Sequence, residues 1–138
     1  MKTNVDTVNK IYEAFGKGDV PAILDCLAEN VQWEQWPDNY AQKAGVPWLL
    51  ERNGKEGVLE FFKVVGAFVF KDFRIVSVMG NGTQVAAQCV FDADIPASGS
   101  HMSEDEIHLW TFNEEGKVIR YRHYCDTAKH IVASGVTK

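Results

Sequence analysis

Apolar side chains in this chain first recur every three or four positions and then, from about residue 68, at every second one. Val5, Val8, Ile11, Tyr12 and Phe15 share one helical face behind a start signal in Thr3 and Asp6. Gly16-Lys17-Gly18 ends that helix. Asp19 and Pro21 then open a second, with Ile23, Leu24 and Leu27 on its apolar side. Residues 31–36 read as a short strand. Residues 37–53, with Tyr40, Pro47 and Trp48, are irregular and long for a passive loop, so the stretch is expected to cover something. Helical spacing returns over residues 54–67 through Val58, Leu59, Phe61, Phe62 and Val65. Strands are predicted over residues 68–79, 84–94, 104–113 and 117–126. They are separated by Gly80-Asn81-Gly82, by a loop at 95–103 and by Asn113-Glu114-Glu115-Gly116. Residues 127–133 suit a short closing helix, and residues 134–138 a flexible tail.

Helices gathered before a run of antiparallel strands predict an α+β fold with the helices on one face of a curved sheet. One domain over residues 1–133 accounts for every element. The space between helices and sheet is where a pocket forms.

Composition narrows the function classes. The 138 residues are 46% apolar and 24% charged, an ordinary globular mixture. A net charge of −5 argues against a phosphate-binding surface, and so against nucleic acid as a partner. The N-terminus lacks the apolar core of a signal peptide, and no apolar run approaches the ~20 residues of a membrane span. Cys26, Cys89 and Cys125 are odd in number and far apart, giving neither a disulfide framework nor paired zinc-site spacing; a reducing cytoplasm is the expected home. No phosphate loop, nucleophile elbow or zinc-protease motif is present, so no cofactor and no metal are expected. Asp92 with Asp94, and the run Glu104-Asp105-Glu106, read as solvated edge features.

Several stretches carry a family resemblance. Ile11 to Leu24 (IYEAFGKGDVPAIL), Val31-Gln32-Trp33, Asn53-Gly54-Lys55-Glu56-Gly57-Val58, His108-Leu109-Trp110-Thr111-Phe112 and Gly116-Lys117-Val118-Ile119 resemble SnoaL-like members of the nuclear-transport-factor-2-like (NTF2-like) superfamily. The resemblance implies a cone of N-terminal helices on a curved antiparallel sheet, a homodimer paired through its sheets, and a small apolar or aromatic ligand. It leaves the reaction open, because the superfamily holds isomerases, cyclases, epoxide hydrolases and binding modules. Ketosteroid isomerases place a phenol where this chain has Ile11 and a general base where it has Gln35. Relatives of limonene epoxide hydrolase carry an Arg and an Asp at the positions of Cys89 and Phe91, and an Asp at that of His123. Polyketide cyclases pair that last-strand Asp with a histidine matching His108. The chain keeps the histidine and replaces the Asp with His123.

Strand alternation puts His108, Trp110 and Phe112 on one face, and Ile119, Tyr121 and His123 on one face of the next strand. The resemblance turns both sets inward. Together with Cys89, Phe91, Tyr12, Phe15, Trp33, Phe61, Phe62 and Val65 they would form an aromatic cavity with few polar groups. An imidazole titrates near neutrality, so His108 and His123 are the candidate acid and base for an isomerase, cyclase or lyase reaction. The competing reading is a non-catalytic module in which both histidines only satisfy core hydrogen bonds. Arg120 and Arg122 fall on the opposite face and read as interface residues. Cys89 reads as inert packing rather than a nucleophile.

Overall fold

The computed structural model describes residues 3–136. Helix α1 (Asn4–Gly16) opens with a capping box in which the Thr3 hydroxyl accepts from the Asp6 amide and the Asp6 carboxylate accepts from the Thr3 amide. Its Thr7, Val8, Ile11 and Ala14 are buried. A short α2 (Val20–Leu24) is capped by Asp19, and β1 (Leu27–Trp33) follows. The strand expected at 31–36 thus lies earlier in the chain. Glu34 adopts φ 56°, a left-handed conformation that no side chain but glycine enters freely, and that residue ends the strand.

Residues 37–53 are more ordered than the composition suggests. They form α3 (Tyr40–Ala44), a 3-10 turn at Pro47–Leu49 and β2 (Arg52–Asn53). Helix α4 (Gly54–Val65) precedes a meander of β3 (Val69–Gly80), β4 (Gln84–Ile95), β5 (Ser100–Phe112) and β6 (Val118–Tyr124), and α5 (Thr127–Ser134) closes the chain. The helix takes in Ser134, the first residue of the expected tail; residues 137 and 138 of that tail lie outside the described residues.

The six strands form one sheet in the order β2-β1-β6-β5-β4-β3, antiparallel throughout except where β1 runs parallel to β6. Helix α4 packs on β1 and α1 on β3, so the helices close the concave face. The predicted α+β cone is the fold observed.

Two local features differ from simple alternation. Strand β5 starts at Ser100, four residues before the expected start, because Ile95 pairs with Ser100 and Ala93 with Met102 across a turn of only residues 96–99. Apart from that turn the expected loop is therefore strand, and Met102 points inward, 2% exposed. Near the other end, Thr111 pairs with Arg120 but Phe112 with Val118, which leaves Ile119 as the extra residue of a bulge. Val118 takes the inward position and is fully buried.

Helix α5 depends on Asp126, whose carboxylate accepts the Lys129 amide at 3.2 Å, and on Ser98, whose hydroxyl donates to the Ala133 carbonyl at 2.6 Å. Replacing Asp126 by Ala should lower stability by about 1 kcal/mol, the usual cost of an N-cap. A urea midpoint equal to wild type would show that the tertiary contacts of α5 make the cap redundant.

Candidate active site

The concave side of the sheet encloses a cavity of about 670 Å3 of atom-free space, counting its open mouth. Helix α1 contributes Tyr12 and Phe15, β1 contributes Trp33, and α4 contributes Phe61, Phe62 and Val65. The sheet adds Phe91 from β4, His108 and Trp110 from β5, and Tyr121 and His123 from β6. The rings interlock: Trp33 stacks on Tyr121 at 4.1 Å between centroids and meets Phe61 at a tilt at 5.3 Å. Each such pair adds about 0.5–1.5 kcal/mol beyond the area it buries.

Three sequence-selected residues do not line this space. Ile119 is displaced by the bulge that turns Val118 inward. Phe112 is buried at the end of β5, outside the lining. Cys89 is fully buried; burial, reinforced by Glu106, pushes its thiol up, which keeps it protonated and inert. Conversely, Phe68, Phe70 and Phe73 complete the outer wall, and Trp48 reaches in from the 3-10 turn, so the ordered stretch at 37–53 does cover the cavity.

The polar side of the cavity is larger than the sequence suggests. Because β5 alternates strictly from Met102 onward, Glu104 and Glu106 face inward with His108, and Asp105 faces out. The expectation that this acidic run is a solvated edge is thus corrected: Glu104 and Glu106 are each only 7% exposed. Each pairs with a histidine. His108 Nε2 lies 2.8 Å from Glu106 Oε1, and its Nδ1 lies 2.5 Å from the Tyr12 hydroxyl, which also receives the Trp110 indole N–H at 3.1 Å. The hydrogen bonds form one chain if Trp110 donates to Tyr12, Tyr12 to His108 Nδ1, and His108 Nε2–H to Glu106. Burial pushes the Tyr12 phenol well above its ordinary value, so it remains a donor.

His123 is held by Glu34, whose Oε2 contacts Nδ1 and whose Oε1 accepts the His123 amide at 3.3 Å. The left-handed turn at Glu34 aims this carboxylate inward, and Gln42 fixes the turn by donating to the Glu34 carbonyl at 2.8 Å. Strain of this kind costs about 1–3 kcal/mol and persists only where surrounding contacts hold it. Gln35, at the position of the ketosteroid isomerase base, instead donates to Asn53 at 2.8 Å; the buried carboxylate stands one residue earlier. Burial opposes charge on His123, but Glu34 and Glu106 outweigh it and raise its pKa. Burial likewise opposes charge on Glu106, and His123, His108 and His130 hold its carboxyl well below the usual range.

His130, on α5, is the third buried histidine. Its Nε2 contacts Glu104, and its Nδ1 receives the Trp48 indole N–H at 2.8 Å. Burial opposes charge on it, while Cys125, Glu104 and Glu106 pull its pKa upward. Trp48 opposes that pull, because an imidazolium has no lone pair at Nδ1 to accept the indole proton. The geometry therefore describes a neutral ring with its proton on Nε2. Strand alternation from Met102 reveals Glu104 and Glu106, but no local pattern reveals Glu34 or His130, which reach the site through a left-handed turn and a terminal helix.

These pairs fix a pH dependence. Charged His123 has a folded pKa above its ordinary 6.5, so its contribution to stability is complete below that value and fades as pH rises through the raised one. Glu106 contributes above its ordinary 4.5, and that contribution is lost as pH falls through its lowered value. Denaturation free energy should therefore be greatest between about 4.5 and 6.5 and decline on either side. Glu34→Gln should flatten the alkaline decline. An identical slope in that variant would show that the Glu34 pair does not govern it.

A model of the SnoaL-like domain matches residues 8–121. Among solved structures, an NTF2-like protein of unknown function from Burkholderia pseudomallei superposes with a TM-score of 0.78 at 24% identity, over 100% of both chains. A candidate polyketide cyclase from Pseudomonas putida matches at 0.73 and 21%, over 99% of this chain and 100% of its own. A Mycobacterium tuberculosis protein in complex with estradiol-17beta-hemisuccinate matches at 0.69 and 15%, over 93% and 98%. No curated protein sequence gives a significant match. At these identities the structures establish the fold, and the family model spans most of the chain. The chain belongs to the SnoaL-like domain family.

Proposed function

We propose that this protein binds a small apolar or aromatic molecule, carbonyl-bearing, and moves protons on it with His108 and His123. The carrying observation is that the two imidazoles, 5.7 Å apart between centroids on adjacent strands, each have a buried carboxylate behind them and one aromatic cavity before them. His123, whose charged form Glu34 favours, donates a hydrogen bond or proton to the oxygen where negative charge develops. His108 is the neutral partner, with Nδ1 as its basic atom, reached directly when Tyr12 swings aside or through the Tyr12 hydroxyl. Two charged imidazoles this close in an apolar wall would repel, which favours that division.

The comparisons support the ligand class. One relative in fold is a candidate polyketide cyclase, and another holds a steroid derivative. The second reading, a binding module, rests on the lining outside the histidine and glutamate wall, which is almost wholly apolar. The free cysteines fit a reducing cytoplasm. The homodimer implied by the family would use the outer sheet face, where Arg120 and Tyr124 are exposed.

Proton exchange separates the two readings without a known substrate. In deuterated water the wild type should exchange the α-protons of bound aromatic ketones, and His108→Asn and His123→Asn should each slow exchange by roughly 100- to 10,000-fold with circular dichroism unchanged. Ketone binding without catalysed exchange would establish the binding module instead. Light scattering at micromolar concentration should give twice the 15.5 kDa chain mass, and a monomer mass throughout would remove the dimer.

A further inference from the structure

One oxygen of Glu106 has no role in the proton-transfer reading. Glu106 Oε1 faces His108, but Oε2 is buried without a hydrogen-bond partner, in a side chain only 6% exposed. An orphaned carboxylate oxygen in an apolar wall carries a large desolvation cost, so its surroundings point to what satisfies it. Those surroundings are His130, whose Nε2 is 3.6 Å away, His123 and Cys125. One ligand atom from each of the four lies within 4.8 Å of all the others.

We propose that Glu106, His123, Cys125 and His130 form a binding site for a divalent transition metal of the zinc type. Two imidazoles, a thiolate and a carboxylate are the donor set that borderline cations such as Zn2+ and Co2+ select over Mg2+ or Ca2+. The residues come from β5, β6, the segment after β6 and α5, so the site exists only in the folded chain. His123 is already arranged as a ligand: Glu34 holds Nδ1, which leaves Nε2 for the metal, and a carboxylate behind a ligating histidine is the usual outer support of such sites. His130 must yield two contacts. Ligation through Nε2 moves its proton to Nδ1, which ends the Nε2–H bond to Glu104 and confronts the Trp48 N–H, so the indole turns aside on metal binding. Two hydrogen bonds are exchanged for a metal bond, and the cation's charge takes the place of the N–H beside Glu104.

A second group, Cys89, Glu106 and His108, shares the same glutamate. It is the weaker choice, because it offers three ligands rather than four and its Cys89 is fully buried whereas Cys125 is not. The proposal does not rest on proton transfer by the histidine pair. A metal takes the His123 lone pair out of acid–base work and leaves His108 with Tyr12 untouched, so the two ideas fail separately.

The test uses the full chain, stripped with a chelator, desalted and given one equivalent of Co2+. Wild type should retain one equivalent, release protons on binding and show the near-ultraviolet charge-transfer absorption of a thiolate bound to cobalt, displaced by Zn2+. Cys125→Ser should abolish that absorption, with affinity lowered beyond the ~100-fold that marks loss of an outer partner. Cys89→Ser should keep both the metal and the absorption. Failure to retain Co2+, or an absorption that survives in Cys125→Ser, overturns the proposal. Should Cys125→Ser not fold, Glu34→Gln decides: affinity about 10- to 100-fold weaker supports the site, and unchanged affinity overturns it.

Discussion

The site is organised by the cost of burying charge. Glu34, Glu104 and Glu106 are removed from water in a wall that is otherwise aromatic, and each is tolerable only because a histidine stands against it. Removing one member of such a pair leaves an uncompensated buried charge, so each carboxylate constrains its imidazole and each imidazole its carboxylate. His123 therefore owes its orientation to Glu34, and His108 to Glu106 and Tyr12, before any ligand arrives. The pairs also tie together elements far apart in the chain: the end of β1 to β6, and β5 to α5.

Around this polar wall the rings set the shape. Tyr12, Trp33, Trp110 and Tyr121 surround the histidines, and the phenylalanines of α1, α4 and β3 close the opposite side. Phe15, Phe62, Val65, Phe68, Phe70 and Phe73 are shared with a surface depression beside Gly16 and Gly66. A cavity polar at one end and apolar at the other orients a molecule that carries one polar group on an apolar body.

Alternation along the strands and helical spacing before them were enough to give the α+β layout, the antiparallel meander and most of the aromatic lining, because those patterns follow from burying one face of each element. The same rule, applied through the predicted strand at 104–113, puts Glu104 and Glu106 on the face of His108; their charge argued for an edge instead, and burial beside histidines overrides that. The rule failed at Ile119, where a one-residue bulge reverses the facing, since nothing in a local pattern distinguishes a bulge from a regular strand.

The sequence by itself determined the main helices and the meander strands, and that His108 with Trp110, and Tyr121 with His123, share one face of their strands, since side-chain period decides both; the family resemblance turned those faces inward. The tertiary structure alone decided what those histidines are bonded to. Glu34 enters through a left-handed turn held by Gln42, and His130 through a capped terminal helix beneath Trp48. Partners brought together across ~90 residues of chain, as Glu34 and His123 are, leave no spacing to read, because their proximity is fixed by the parallel pairing of β1 with β6 rather than by any local rule.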